Sequence, residues 1–396
     1  MKIELLAPAG DLYKAKIALM YGADAVYVGG KKFSLRARAS NFDLNDILEL
    51  VNFAHERGKK VYITLNIIPH ENDLDDLDEY IIYLDNIGVD AVIASSMYII
   101  SRVVRLAKNM KAHLSTQKSL TNSRAIKYYK SKGITRIVLA RECTMDEIKN
   151  LSNNSSLELE VFIHGGMCAS FSGHCVLSNH MTNRDANRGG CAHSCRWNYS
   201  LVKNGEKLEQ TFNIASKDLM AAPFIEGLIK TNVASLKIEG RLKSAYYLAC
   251  VIKGYRMLID RIYSNKDVDE EFLEKVINQI KLGENRITSI GFFNGLTSVS
   301  EQLYDNRSEI PTQEYIAFVL DYDKANKRAL VEQRNYFKIG DNIAIMTPSD
   351  EFNSKVNQMI DFETNEVIDV APHPLQKIWI DLEKEVKYGD MIRITK

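Results

Sequence analysis

The feature that most constrains the fold of this chain is a repeated alternation of short apolar runs with amphipathic helical runs. The apolar runs read as eight strands: ELLAPAG (4–10), AVYVGG (25–30), KVYITLN (60–66), AVIASS (91–96), KAHLSTQ (111–117), RIVLARE (136–142), LELEVFIHG (157–165) and ASLKIEGR (234–241). Eight strand–helix units in about 260 residues match the size of a (β/α)8 barrel. An open doubly wound sheet shows the same alternation. We predict the TIM-like barrel, because the count reaches eight and no GxGxxG follows the first strand.

Local signals mark where several of the helices begin. Asp11 is predicted to cap the first helix, and Thr144 with Glu147 has the spacing of a capping box. Asp43 precedes a helix in which four apolar residues recur at the spacing of one helical face. They are Leu44, Ile47, Leu48 and Val51. This face is predicted to pack on the barrel.

The chain divides into three segments by pattern. Residues 1–265 are predicted to form the barrel, with a long insertion at 165–233 between the seventh and eighth strands. Residues 266–313 read as a connecting helical segment. From 314 to 396 the runs are short, strand-like and separated by turn residues, which predicts a small all-β, barrel-like domain.

Composition narrows the class of protein. The chain carries 51 basic and 51 acidic side chains and is 45% apolar, which is typical of a globular protein and unlike a polybasic nucleic-acid binder. A local basic groove remains compatible with zero net charge. No run approaches the length of a membrane helix, and the start lacks the profile of a signal peptide. We therefore expect a cytoplasmic protein with no membrane partner.

The insertion contains four of the six cysteines. Cys168, Cys175, Cys191 and Cys195 follow the spacing C-x6-C-x15-C-x3-C. Disulfides are disfavoured in a reducing compartment, so metal binding is the favoured use of these thiols. Zinc and an iron–sulfur cluster both accept four thiolates. The first spacing is wide for a zinc knuckle, so we favour a [4Fe–4S] cluster, with zinc and a metal-free site as alternatives.

Four cysteine ligands would leave no iron open to substrate, so such a cluster would be structural or would transfer electrons. Three arginines interleave with the cysteines and would offset the negative charge of the cluster. They are Arg184, Arg188 and Arg196.

Polar residues stand at the predicted carboxyl ends of the strands, which face one pocket in a barrel. Arg36 and Arg38, on the loop after the second strand, have the side chain that clamps carboxylate or phosphate. The predicted substrate-binding residues are Arg36, Arg38, Asn66, Gln117, Arg141, Lys237 and Arg241. The candidates for proton transfer are His164, Glu239 and Glu142. The pattern predicts a site for a small anionic, hydroxylated metabolite.

Several long motifs resemble one known family. The motifs are GADAVYVGG, SLRARASNF, VFIHGGMCASFSGHCVLSNH, NRGGCAHSCRWNY, SKDL and SLKIEGRLKSAYYL. They resemble the so-called peptidase U32 family, and the likeness covers nearly the whole chain. In length and layout the chain is similar to the branch implicated in making 5-hydroxyuridine at the wobble position of tRNA without molecular oxygen. The resemblance implies a [4Fe–4S] cluster on the four cysteines and prephenate as a possible hydroxyl donor, and it assigns no catalytic base.

Three functions follow as hypotheses. The first is an iron–sulfur tRNA hydroxylase that acts on the anticodon loop, where bases are already unpaired. Basic loop residues would then contact phosphates: Lys31, Lys32, Arg36, Arg38, Arg184, Arg188 and Arg196. The second is a collagenase-like peptidase, as the family name says, although neither HExxH nor GxSxG occurs. The third is a non-catalytic subunit that works with a homologous partner and holds a structural cluster.

Overall fold

The computed structural model describes residues 2–35, 41–172, 174–303 and 314–395. Within it the chain separates into two compact units, residues 1–282 with 286–310 and residues 283–285 with 311–396. Of the helices in these described ranges, none combines the length and the apolar composition needed to cross a bilayer.

The first unit begins with seven parallel strands that follow one another in the sheet. They are β1 (Glu4–Pro8), β2 (Ala25–Gly29), β3 (Lys60–Leu65), β4 (Ala91–Ala94), β5 (Lys111–Leu114), β6 (Arg136–Val138) and β7 (Glu158–Gly165). The helices between them are α1 (Leu12–Met20), α2 (Leu44–His55), α3 (Leu77–Asn86), α4 (Met97–Leu106), α5 (Ser123–Lys130) and α6 (Met145–Asn154). Strands buried on both faces explain the continuous apolar runs of the sequence.

The insertion after β7 contains short elements. They are α7 (Leu177–Thr182), the hairpin strands β8 (Tyr199–Lys203) and β9 (Glu206–Phe212), β10 (Asp218–Met220) and α8 (Ile225–Lys230). Short 3₁₀ turns in this unit lie at Glu71–Asp73, Thr116–Lys118, Ala186–Arg188, Ser194–Arg196, Ala222–Phe224 and Val299–Glu301. The strand β10 pairs antiparallel with the end of β7, opposite His164 and Gly165. The insertion is therefore fixed at the carboxyl end of the barrel.

The eighth barrel strand, β11 (Ser235–Ile238), closes the sheet. It pairs in parallel with β1 on one side and β7 on the other. The prediction of a closed (β/α)8 barrel is confirmed, and the open doubly wound alternative is wrong. Two helices follow, α9 (Ala245–Tyr263) and α10 (Glu270–Lys281), and then β12 (Thr288–Ser289), which pairs with β10. The segment 266–303 thus adds a helix and a strand to the barrel unit.

The helix caps are those predicted from the sequence, whereas the buried face of α2 differs from the predicted face. Asp11 accepts from the backbone N–H of Lys14, and Thr144 with Glu147 forms the capping box. In α2, Ile47 and Val51 are buried as predicted, but the predicted face is wrong at its other two positions: Leu44 and Leu48 are 44% and 38% exposed. Leu50 and Ala54 are buried in their place. The buried stripe is rotated because the barrel covers the side of α2 that Leu50 faces.

The second unit is an antiparallel β domain, as predicted. Its strands are β13 (Tyr315–Asp323), β14 (Arg328–Gln333), β15 (Phe337–Lys338), β16 (Asn342–Met346), β17 (Glu351–Lys355), β18 (Met359–Asp361), β19 (Val370–Ala371), β20 (Lys377–Asp381) and β21 (Met391–Ile394). Seven of them form one sheet in the order β17-β16-β21-β13-β14-β20-β18, and β15 pairs with β19. Its own apolar core includes Val319, Val331 and Ile345.

A buried ion network occupies the amino-terminal half of the barrel interior. Arg136 on β6 bonds Glu4 at 2.5 Å and lies 3.3 Å from Glu160, and Lys237 on β11 bonds the same Glu160 at 2.7 Å. The Tyr62 hydroxyl donates to Glu4 at 2.7 Å. Burial raises the pKa of Glu4, but the charge of Arg136 and the hydrogen bonds from Arg136, Tyr62 and Ser235 together outweigh it, so the net pKa is lowered. Each charge here is compensated, as buried ions require.

Candidate iron–sulfur and substrate site

The four cysteines of the insertion lie on the loops that follow β7. Cys168 is exposed, and Cys175, Cys191 and Cys195 are partly buried. All four thiols are free, so they do not form disulfides with one another. The thiols of Cys168 and Cys195 each interact electrostatically with those of Cys175 and Cys191, and Cys195 also interacts with Cys168. The fold therefore gathers residues that the sequence separates by as many as 26 intervening positions, those between Cys168 and Cys195.

Hydrogen bonds hold the loops that carry these thiols. The Asn187 side chain donates to the Cys175 carbonyl at 3.1 Å, and the Ile214 N–H donates to the Cys195 carbonyl at 3.0 Å. Glu142 accepts from the backbone N–H of Ser172 at 2.9 Å and from its hydroxyl. The backbone between the first two cysteines is thereby tied to the loop after β6.

The surroundings of Cys175 favour a thiolate. Burial raises the pKa of this thiol, but the Ser170 hydroxyl and the backbone N–H groups of Ser178 and Leu177 outweigh it, so the pKa is lowered. Backbone N–H groups directed at sulfur are the contacts that stabilise metal-bound thiolates. A donor set of four neighbouring thiols, one of them stabilised as the anion, fits a thiolate-ligated group.

The arrangement of the described residues also bears on the binding of a single metal ion. Across residues 2–35, 41–172, 174–303 and 314–395, no three His, Cys, Asp or Glu side chains form a group that could hold one metal ion. A zinc ion needs its four ligands at one centre. An iron–sulfur cubane binds each thiolate through a different iron, so its ligands are spread around a larger core.

A buried carboxylate lies next to the cysteine loops and contacts three cations. Asp218 on β10 is 3% exposed. Its oxygens lie 3.4 Å from Arg196, 3.8 Å from Lys243 and 3.7 Å from Arg286. We did not predict this group from the sequence, although Asp218 lies in the motif SKDL. The three cations come from separate segments, so only the fold reveals the cluster.

Two consecutive glycines allow the loops after β7 and β11 to meet. Gly165 has a φ of +104°, and a Cβ there would lie 2.4 Å from the Glu239 carbonyl oxygen. A Cβ on Gly166 would lie 3.4 Å from the Glu239 carboxylate and 3.9 Å from both Arg196 and Asp218. Glu239 therefore stands at the barrel mouth beside the cysteine loops, and it is the best placed of the three candidates for proton transfer.

His164 has different surroundings from those the sequence indicates. The register between β7 and β11 shifts after Phe162, as in a β-bulge. The His164 ring then lies 5.6 Å from the Tyr255 ring and 5.8 Å from the Tyr247 ring, and its Nδ1 is 3.3 Å from the Tyr255 hydroxyl. Burial, with Lys243 nearby, lowers the pKa of His164 to about 3. The structure thus packs His164 against α9, and its predicted role in proton transfer stays a prediction.

The structure also gives Lys237 and Arg241 partners within the protein. Lys237 is 4% exposed, pairs with Glu160 and lies 4.3 Å above the Tyr27 ring. Arg241 donates to the Ser34 hydroxyl and the Leu35 carbonyl, both at 2.9 Å. The structure therefore places Lys237 in the barrel interior and Arg241 against the loop after β2, and their predicted roles in substrate binding stay predictions.

The remaining predicted substrate-binding residues are polar anchors at the barrel mouth. Asn66 accepts from the Leu35 N–H at 3.1 Å, and Gln117 accepts from the Ser115 hydroxyl at 3.2 Å. Arg141 lies 3.9 Å from the centre of the Phe162 ring and contributes to the electrostatics of Cys168. Arg36 and Arg38 lie outside the described residues.

Several of the basic residues proposed to contact RNA phosphates are already paired with carboxylates. Lys32 bonds Asp76 at 2.7 Å, and Arg188 bonds Asp73 at 2.7 Å. An RNA phosphate that binds at these positions would have to displace the carboxylate that is already paired there.

Comparison with known proteins identifies the family. The profile of Peptidase family U32 matches residues 10–302, and that of the Peptidase family U32 C-terminal domain matches residues 311–393. The chain belongs to Peptidase family U32. The first region covers most of the first compact unit, and the second region lies within the second unit.

Three relatives of this U32 protein carry names that refer to RNA. The tRNA hydroxylation protein P1 of Bacillus subtilis (strain 168) is 40% identical and covers 100% of this chain and 95% of its own length. The tRNA hydroxylation protein P of Escherichia coli (strain K12) is 30% identical over 99% of this chain and 97% of its own length. The 23S rRNA 5-hydroxycytidine C2501 synthase of the same strain is 38% identical over 67% of this chain and 40% of its own length. RNA hydroxylation is thus the activity named among these relatives.

Proposed function

We propose that this protein is an iron–sulfur enzyme that hydroxylates uridine at the wobble position of tRNA without molecular oxygen. One observation carries the proposal: four neighbouring thiols stand at the mouth of a closed barrel, in a chain that is similar over its whole length to a tRNA hydroxylation protein. The carboxyl-terminal mouth is where barrel enzymes carry out their chemistry.

Cys168, Cys175, Cys191 and Cys195 would hold a [4Fe–4S] cluster. When bound, such a cluster supplies electron transfer. The wide first spacing, C-x6-C, favours a multi-iron core over a zinc knuckle. Arg196 interacts with Cys195 and would offset negative charge at this corner.

The reaction exchanges bonds between the base and a hydroxylated donor. The C5–H bond of uracil and the C–OH bond of the donor break, while C5–OH and donor C–H bonds form. The base loses two electrons and the donor gains two. We propose a small anionic metabolite, with prephenate as the candidate, for this donor. Glu239, at the barrel mouth beside Gly166, is the proposed proton-transfer residue.

The peptidase hypothesis has weaker support from the site. A thiol peptidase needs a histidine that activates the nucleophile. His164 packs against the tyrosines of α9, and the charges that act on it are Lys243 and Glu239. The third hypothesis, a non-catalytic subunit, is an outcome of the experiment that follows.

The test is anaerobic purification, with an absorption spectrum and assays of iron, sulfide and zinc, followed by hydroxylation of undermodified tRNA by the purified protein. We expect stoichiometric iron and sulfide and formation of 5-hydroxyuridine, detected by nucleoside mass spectrometry. Activity that appears only after a homologous subunit is added would show the partner role. Zinc without sulfide, or unchanged nucleosides in tRNA from a deletion strain, would contradict the proposal.

A further inference from the structure

A cavity of about 250 Å³ lies beside the cysteine loops. Its walls come from the loop after β7, from the residues before β10, and from the segment after β12. Cys168, the exposed member of the four cysteines, is part of its lining. A molecule in this cavity would therefore contact the segment that carries the proposed cluster.

The walls of the cavity are fixed to one another by backbone pairing. The N–H of Lys217 donates to the carbonyl of Glu301 at 2.9 Å, and that of Leu303 donates to Ala215 at 2.8 Å. Ser216 forms a bridge with Gln302 between these two bonds. The cavity is thus preformed, as most small-ligand sites are.

The lining combines apolar, hydroxyl and amide groups. Met167, Ile214 and Phe292 provide apolar and aromatic surface, and Ser289 and Gln302 provide hydrogen-bonding groups. Phe292 is partly buried and lines the cavity. A planar molecule with polar edges suits such a lining, because it can stack on the ring while its edges reach the hydroxyls and amides.

Two charged side chains line the cavity, and they differ in their partners. The Glu301 carboxylate accepts from the N–H of Ser298 at 2.6 Å and from the Ser300 hydroxyl at 2.5 Å, so it caps its own turn. Lys217 is partly buried, and within the described part of the chain no carboxylate pairs with its ammonium. The cavity therefore presents one cation that a ligand anion can neutralise.

We propose that this cavity binds the single pyrimidine nucleotide that is modified, with the base stacked on Phe292 and a phosphate at Lys217. Base-modifying enzymes place the extruded nucleotide in a closely fitting pocket and read its edge by hydrogen bonds. The volume is at the low end for ligand pockets, which suits one nucleotide rather than a length of peptide. The inference rests on the proposed function and names the place where its substrate base sits.

The test measures binding of uridine 5′-monophosphate and of uridine to the anaerobically purified protein by calorimetry. For the wild type we expect the monophosphate to bind about tenfold more tightly than the nucleoside. Lys217→Gln is expected to abolish this preference while leaving uridine binding unchanged. Phe292→Ala is expected to weaken both ligands about tenfold or more, and Phe292→Tyr to restore them.

Matched controls are Lys203→Gln on the exposed hairpin and Tyr128→Ala on α5, which remove a lysine and an aromatic ring from surfaces away from the cavity lining. Neither should change binding. Absence of monophosphate binding by the wild type, or equal binding by wild type and Lys217→Gln, would overturn the inference.

The result separates this inference from the proposed function. If the wild type binds nucleotide and the cavity variants lose that binding, but the wild type does not hydroxylate tRNA, the result would support the nucleotide site and contradict the proposed reaction. If the cavity variants hydroxylate tRNA at the wild-type rate, the proposed reaction is supported and this assignment of the cavity is wrong. The absorption spectrum of each variant checks that the metal content is unchanged.

Discussion

The two ends of the barrel differ in whether their charged and nucleophilic side chains are accessible to a ligand. At the amino-terminal half, Arg136, Glu4, Glu160 and Lys237 are buried together and pair at 2.5 to 3.3 Å. At the carboxyl-terminal mouth, Asp218 lies 3.4 to 3.8 Å from three cations, and Cys168 is exposed on the wall of a cavity. One end is closed by complementary charge, and the other retains groups that can bind a ligand.

This difference agrees with the division of labour in (β/α)8 barrels, in which the amino-terminal face serves stability and the carboxyl-terminal face serves function. It also shows why a charged residue on a barrel strand is ambiguous in sequence. Lys237 and Glu239 are two residues apart, yet the first pairs inside the barrel and the second reaches the mouth.

The largest effect is expected from the cysteines at the mouth. Cys191→Ser should abolish both the brown colour of the anaerobically purified protein and tRNA hydroxylation, because serine is a poor ligand for iron in a sulfur-ligated cluster. The matched control is Cys143→Ser, the same change at a buried cysteine outside the quartet. A colourless Cys191→Ser protein with full activity would refute the role of the cluster.

At the opposite end, loss of one charge should act on stability. Lys237→Met leaves Glu160 without one of its two cations in the interior and should lower the free energy of unfolding by about 3 kcal/mol. Urea unfolding followed by helical circular dichroism measures this, since every described α-helix belongs to the barrel unit.

The control for this prediction is Lys230→Met, which removes an exposed pair with Glu226 and should cost less than about 1 kcal/mol. If Lys237→Met keeps wild-type stability and instead weakens binding of the anionic metabolite, Lys237 returns to the substrate-binding set.

Acid should destabilise the wild type partly through His164. Its pKa of about 3 in the folded protein lies below the ordinary histidine pKa of 6.5. The unfolded chain therefore binds a proton first as the pH falls, and stability is lost from about pH 6.5 downward. His164→Gln should remove up to about 1.4 kcal/mol per pH unit of this dependence. Burial also holds the pKa of His113 well below its usual value, so part of the dependence should remain.

Unfolding by urea at a series of pH values provides the measurement, with exposed His70→Gln as the control. An unchanged pH profile in His164→Gln, together with lost hydroxylation, would favour the proton-transfer role over the packing role.

The smallest effect is expected at the loop after β2. The Arg241 guanidinium donates hydrogen bonds to Ser34, Leu35 and Asn41. Arg241→Lys replaces this planar group with a single ammonium, which cannot reproduce the same geometry. The Leu35 amide should exchange with solvent about fivefold faster, as expected for loss of roughly one hydrogen bond. The control is Arg57→Lys on the surface. Unchanged exchange with weaker metabolite binding would mean that Arg241 contacts the ligand directly.

Much of the architecture could be predicted because its signals are local. Strand runs, the Asp11 cap and the Thr144–Glu147 capping box depend on neighbouring residues, and the structure has them. The exposure of Leu44 and Leu48 could not be predicted from periodicity. A helical repeat defines an apolar stripe, but the surface that covers it decides which side is buried.

The site was predicted less completely. The cysteines were identified because four thiols at short sequence separation are rare without a shared use. The Asp218 cluster and the cavity were not identified, since their members come from segments far apart in the chain. His164 and Lys237 were placed at the strand ends by counting, and the sequence could not show the register shift near His164 or the buried partner of Lys237.

The eight strand–helix units, the position of the insertion, the β domain and the four candidate thiolate ligands could be identified before folding, because each depends on the spacing of residues along the chain. The pairing of charges inside the barrel and at its mouth could be identified only in the folded protein. That pairing depends on distances between side chains from different strands, and these distances exist only once β11 has paired with both β1 and β7.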